Sequence, residues 1–229
     1  MRALGLVIGD GHSAAEFGRQ ALEWRHFLER RGDDAALVVL PVATLALPRR
    51  LDRVLLALAK DTGLRQVAFF CHGWSSAIQL CPAARVHELA RAIRAASADT
   101  APVVTLYACT TGSDTDAKTP ERGEGPHGDA PGGDGGFADQ LRDALCAEGA
   151  VDCIVDAHTV EGHTTRNPYV RRFAGCGVAT GGVGGQWLVT PRSALWDRWV
   201  HAVKGELRWR FPTMMLGEIH AELANAKAA

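Results

Sequence analysis

The 229-residue chain is 47% hydrophobic and 22% charged, an ordinary globular composition long enough to bury a core without disulfides or metals. Its 25 basic and 26 acidic residues leave a formal charge of −1, which excludes the net basic field of a nucleic-acid-binding protein. No apolar run approaches the about 20 residues that cross a bilayer, and Ala3–Ile8 is too short for a signal-peptide core. These features predict one domain, a cytoplasmic location, and no nucleic-acid or membrane partner.

Leu4–Ile8 reads as a buried strand. Helical spacing follows from Ala14 to Arg31, with Phe17, Ala21, Trp24, Phe27 and Leu28 on one face. Ser13 and Glu16 form a capping box at its start, and Gly32 stops it. Ala36–Leu40 is a second strand, Pro48 opens a helix to about Lys60, and Gln66–Cys71 is a third strand. Pro82–Ala96 reads as a helix and Val103–Tyr107 as a fourth strand.

Residues 112–136 break this alternation with eight Gly, three Pro and six acidic residues, and they read as a flexible loop. A helix at Phe137–Glu148 and a strand at Asp152–Ala157 follow. Asn167-Pro168 caps a short helix ending at Gly175, and Val183–Val189 is a last strand. Helices carrying Trp196 and Trp199, and then about Met214–Ala226, close the chain, the tryptophans packing them onto the sheet.

The predicted fold is α/β, three layers αβα, with a mainly parallel sheet of about six strands. It spans residues 1–190, and 191–229 add C-terminal helices packed on the same domain.

Ligands on such sheets bind beyond the carboxyl ends of the strands. His72-Gly73 follows one apolar strand and Ala108-Cys109 the next, and the 37 residues from His72 to Cys109 are about one helix plus one strand. That spacing brings a nucleophilic Cys and a proton-transferring His to one sheet edge on neighbouring strands. The N–H groups of Gly73 and Cys109 are the candidate oxyanion donors.

An apolar strand ending His-Gly, followed by one ending Ala-Cys, resembles the caspase-like cysteine peptidases: caspases, metacaspases, gingipains, separase and bacterial relatives. The resemblance covers roughly residues 1–190 and rests on these two motifs and the strand order. It implies a cysteine endopeptidase that needs no cofactor and acts on a peptide or protein, with Cys109 as nucleophile and His72 as proton donor to the leaving amine. The stretch after Cys109 matches the linker that caspases cut on activation. The family's Gln two residues before the Cys is Tyr107 here, and Thr110-Thr111 replace the Gly after it.

The resemblance places the specificity pocket at Asp10, Tyr107, and Asp156 with Glu161, and His158 starts a loop that contributes to substrate binding. Inward-facing acids would select a basic residue before the cut and permit self-cleavage after Lys118 or Arg122. Asp10 also reads as a turn residue, and Asp156 as a solvated or helix-capping acid.

His158 and His163 lack metal-ligand spacing, and Asp114 and Asp116 lack an ordered calcium-loop pattern, so no metal is predicted. The six cysteines form no C-x-x-C pair and are expected to be reduced.

Two other classes remain open. One is a catalytically silent module that uses the same fold to bind a partner. The other is a serine hydrolase built on Ser13, where Gly11-His12-Ser13 imitates a nucleophile elbow and His72-Gly73-Trp74 an oxyanion motif, in the reverse of that fold's chain order.

Overall fold

The computed structural model of the chain describes residues 1–8, 11–42, 44–113, 135–159, 170–176 and 186–188, with backbone alone at 11–13, 27 and 186–188. Asp10, Glu161, His163, the loop from 114 to 134 and the predicted helices beyond 190 lie outside the described residues. Among the described residues no helix is long and apolar enough to cross a membrane.

In chain order the elements are β1 (Arg2–Ile8), α1 (Gly11–Arg30), β2 (Asp34–Leu40), α2 (Leu47–Leu58), β3 (Gln66–Phe70), β4 (Gly73–Trp74), β5 (Ala77–Ile78) and β6 (Cys81–Pro82). After a 3-10 turn at Ala83–Arg85 come α3 (Val86–Ala96), β7 (Val103–Tyr107), α4 (Phe137–Ala147), β8 (Ile154–His158), β9 (Val170–Ala174) and β10 (Gln186–Leu188). The main sheet has seven strands in the order β10-β9-β8-β7-β3-β1-β2, and β4, β5 and β6 form a small separate sheet. Strands β2, β1, β3, β7 and β8 pair in parallel, while β9 is antiparallel to both β8 and β10.

The apolar runs explain the parallel core. From Ala3 to Ile8 every residue of β1 is buried, as are Val67 to Phe70 of β3 and Val104 to Tyr107 of β7. Strands apolar on both faces need helices above and below. On one face lies α1, whose Phe17, Ala21, Trp24 and Leu28 recur at helical spacing and are buried. Trp24 meets Phe70 edge to face at 5.8 Å. Gly5 makes this seat possible, because a Cβ there would stand 3.0 Å from the Trp24 ring and 2.6 Å from Leu37 Cδ2.

The connection from β1 to β2 runs one way across the sheet, and those from β2 to β3, β7 and β8 run the other way. Right-handed crossovers therefore put α2, α3 and α4 on the opposite face from α1. There α3 packs against both α2 and α4. The strand order reverses between β1 and β3, and the carboxyl end of that junction is where open α/β sheets bind ligands.

Four expectations are corrected. The chain pairs as strand β9, not helix, after Asn167-Pro168, because Arg172 sits in register with Asp156 and bonds to it in the core. The helix expected from Pro82 begins at Val86, since Cys81-Pro82 pairs as a strand. Helix α1 begins at Gly11, so Ser13 is its third residue rather than its cap or an elbow on the turn before it. Lastly, the cysteines are not all reduced: Cys146 and Cys176 form a disulfide.

Candidate active site

The parallel register of β3 and β7 builds the site. Pairs run from Gln66↔Val103 to Phe70↔Tyr107, and the Cys71 N–H donates to the Tyr107 carbonyl at 3.4 Å. His72 and Cys109 each lie two residues beyond the last pair, so the register sets them abreast at the carboxyl edge. Phe70 and Tyr107 share one face of the sheet and stack at 4.6 Å, within 9° of parallel. His72 emerges on that same face, where its ring meets Phe17 of α1 edge-on at 5.1 Å.

Gly73 closes the two strand ends on each other. A Cβ on it would stand 2.7 Å from the Ala108 Cβ, 2.7 Å from Thr111 Cγ2 and 2.8 Å from the Cys109 carbonyl oxygen. The chain then turns into the small β4–β5–β6 sheet, and His72 is tied into that turn by its carbonyl, which accepts the Gln79 N–H at 2.9 Å. Trp74, immediately after the His-Gly pair, is 52% exposed, one of the few large apolar side chains open to solvent.

The segment after Cys109 is held in an unusual shape. Thr110 has φ 54, an outlier for a β-branched residue. Several bonds impose it. The Ser113 N–H donates to the Thr110 carbonyl at 3.0 Å, and the Gly112 N–H to the His158 carbonyl at 2.7 Å. Thr111 Oγ1 donates to the Ala108 carbonyl at 3.0 Å and Ser113 Oγ to the Thr159 carbonyl at 2.5 Å. Strained backbone of this kind concentrates at functional sites.

Among the free cysteines, Cys71, Cys81 and Cys153 are buried and Cys109 is not. Burial pushes the Cys81 thiol up to about 12 and the Cys153 thiol up to about 11, and raises Cys71 further still. These three are held as neutral thiols and are poor nucleophiles. Cys109 is the half-buried thiol, and the β3–β7 register sets it abreast of the exposed His72.

Of the expected pocket residues, Tyr107, His158 and Asp156 are described, and all three are buried. Tyr107 is buried under Phe70, and burial raises its hydroxyl well above the ordinary value. His158 is buried with its ring 6.3 Å from that of Tyr107, and it serves the site through its carbonyl. Asp156 is buried, and both its carboxylate oxygens accept bonds from Arg172, at 2.7 and 2.6 Å. Burial raises the Asp156 carboxyl above its ordinary value, and the Arg172 guanidinium offsets only part of that rise. Tyr107, Asp156 and His158 are therefore buried residues of the core in this structure. The sequence pointed to Trp74 only through the His72-Gly73-Trp74 motif of the serine-hydrolase reading, and it gave no sign of the strained turn at Thr110.

No protein-family model matches this chain, and neither a curated protein sequence nor a solved structure matches it.

Proposed function

We propose that the protein is a caspase-like cysteine endopeptidase with His72 and Cys109 as its catalytic pair. One observation carries this reading. The β3–β7 register sets abreast an exposed imidazole and the one cysteine outside the disulfide that is not buried, with Gly73 packed against the backbone of Cys109.

In this mechanism the Cys109 sulfur attacks the scissile carbonyl carbon while its proton passes to His72. The carbonyl oxygen becomes an oxyanion, held by the N–H groups of Gly73 and Cys109. The Gly73 N–H suits the task. The Gln79 N–H donates to the His72 carbonyl at the open end of the β4–β5 hairpin, and antiparallel pairing alternates, so the next pair, Gly73↔Ile78, turns its N–H groups away from the partner strand. His72 then protonates the leaving amine, the acyl group remains as a thioester on Cys109, and water activated by His72 hydrolyses it. A basic residue before the cut is the preference the sequence favours. With Asp156 committed to Arg172, that preference rests on Asp10 and Glu161.

The burial of Tyr107, Asp156 and His158 favours a second reading, a silent module that binds a partner at the same edge. A fluorogenic peptide panel, varied at the residue before the cut and run on wild type and Cys109→Ala, separates the two. Cleavage by wild type alone supports the peptidase. If neither cleaves, and Cys109 is alkylated no faster than the buried thiols, the binding module stands.

A further inference from the structure

The second concentration of reactive side chains lies at the opposite edge of the sheet. Cys146 is on the last turn of α4, Cys153 immediately precedes β8, and Cys176 follows β9 by two residues. Local geometry brings them together. Helix α4 ends at Ala147, Gly149 follows with φ 82, and the Ala150 N–H donates back to the Leu145 carbonyl at 2.9 Å, a glycine stop that reverses the chain. A further turn, Cys153 N–H to the Ala150 carbonyl at 3.1 Å, delivers Cys153 to the start of β8. The antiparallel register Ile154↔Ala174 then carries Cys176 back beside it.

The three sulfurs lie within 4.8 Å of one another. Two are joined as the Cys146–Cys176 disulfide, and the third, a free and buried thiol, is 3.9 Å from the Cys146 sulfur. A staple between α4 and β9 needs two sulfurs; the third has no part in it. Thiolates around one tetrahedral zinc, at about 2.3 Å from the metal, stand about 3.8 Å apart. The Cys146–Cys153 separation already has that value.

We propose that Cys146, Cys153 and Cys176 form a site for a thiophilic divalent cation, zinc by class, which opens when the disulfide is reduced. A dithiol supplies two electrons and two protons, the Cys146–Cys176 bond breaks to two thiols, and the reductant leaves as its own disulfide. The cation then displaces the three S–H protons and binds three thiolates, leaving its fourth position to an exchangeable ligand. Burial without a cation holds Cys153 protonated, its thiol pushed up to about 11; the metal's charge reverses that balance. The cluster thus serves as a disulfide staple between α4 and the end of β9 when oxidised, and as a metal clip that also takes in Cys153 at the start of β8 when reduced.

This inference does not depend on the peptidase reading, and its test is run on Cys109→Ala, where the one unburied thiol outside the cluster is absent. The full chain is reduced with a dithiol, freed of it under argon and titrated with cobalt(II). One equivalent is expected to bind per chain, with thiolate-to-cobalt charge-transfer absorption in the near ultraviolet, and zinc should displace it. Saturating zinc should protect Cys146, Cys153 and Cys176 from alkylation. Adding Cys153→Ser leaves the disulfide intact but should weaken cobalt binding at least about a hundredfold, since loss of an outer-shell partner alone costs 10–100-fold. Absence of saturable uptake, or equal affinity with Cys153→Ser, overturns the site. If reduction unfolds the chain, zinc should restore its far-ultraviolet circular dichroism with Cys153 present and not with Ser there; failure to restore it also overturns the proposal.

Discussion

The carbonyl oxygen of Cys109 lies 2.8 Å from the point where a Cβ on Gly73 would stand. The other near atoms are the Ala108 Cβ and Thr111 Cγ2, both at 2.7 Å. None belongs to a long side chain that can swing aside, so a methyl group there must push β3 and β7 apart at the edge where His72 and Cys109 meet. Gly73→Ala is expected to cost about 1–3 kcal/mol of stability, the usual range for overpacking. It should reduce kcat/KM far more than that loss explains, because the proposed oxyanion donors move with the strand ends. Urea denaturation beside peptide kinetics checks both. A variant as stable and as active as wild type would show that the two strand ends do not close on each other.

Thr110 offers the opposite experiment. Its φ of 54 places a β-branched residue where glycine is at ease, at a cost of about 1–3 kcal/mol. Glycine removes that strain but adds roughly 0.5–1 kcal/mol of unfolded-state entropy. Thr110→Gly is therefore expected to raise the denaturation midpoint modestly. Gly112→Ala should lower it, because a Cβ there meets the Ala157 carbonyl oxygen at 2.8 Å and that of His158 at 3.1 Å. A destabilised Thr110→Gly would mean that the Thr110 side chain contributes more than its backbone strain removes.

Substrate contacts should follow exposure rather than motif position. Trp74 is 52% exposed directly beside His72-Gly73, and an open aromatic next to the reacting groups is a natural platform for a peptide. Trp74→Ala is expected to raise KM several-fold with stability changed by no more than about 0.5 kcal/mol. Tyr107→Phe keeps the stack on Phe70 and should leave the cleavage preference unchanged. Asp156→Asn strands the buried Arg172 charge, so about 3–5 kcal/mol of stability should be lost. A changed cleavage preference in the Tyr107 variant would return that residue to the pocket.

How much of this was legible depends on the distance over which each pattern acts. The strands β1, β3 and β7 are buried on both faces, so each is written as an unbroken apolar run, and the His-Gly and Ala-Cys pairs could be located by their equal offset from two such runs. The register that sets them abreast needed only one helix between the strands. Strand β9 was hidden because Val170–Ala174 carries Arg171 and Arg172, which read as solvated; both are buried, and Arg172 is accommodated by a carboxylate across the register at Asp156. The same pairing buries Asp156 against that guanidinium. The strands of the small sheet have two residues each, too few for any alternation to show. The three-sulfur cluster was invisible for a related reason: Cys153 and Cys176 meet only through the β8–β9 register, which the sequence pattern had missed.

Alkali tests the buried core around the site. Burial raises Cys153 from the ordinary thiol value of 9.0 to about 11 and Cys81 to about 12, and it raises Cys71 and Tyr107 in the same direction. All four are acids whose neutral form the folded state protects. Above pH 9 the unfolded chain gives up thiol protons that the folded chain retains, so the unfolded state binds fewer protons and stability falls as pH rises. This stabilisation is complete below 9 and is lost progressively as pH climbs through 11 and 12. The urea midpoint should therefore be lower at about pH 10.5 than at about pH 8. Cys81→Ala should flatten the decline, and because Cys81 stands apart from the three-sulfur cluster, it does so without disturbing the disulfide. A midpoint that does not change over this interval would show that these thiols exchange protons with solvent in the native state, and the core described here would not be closed.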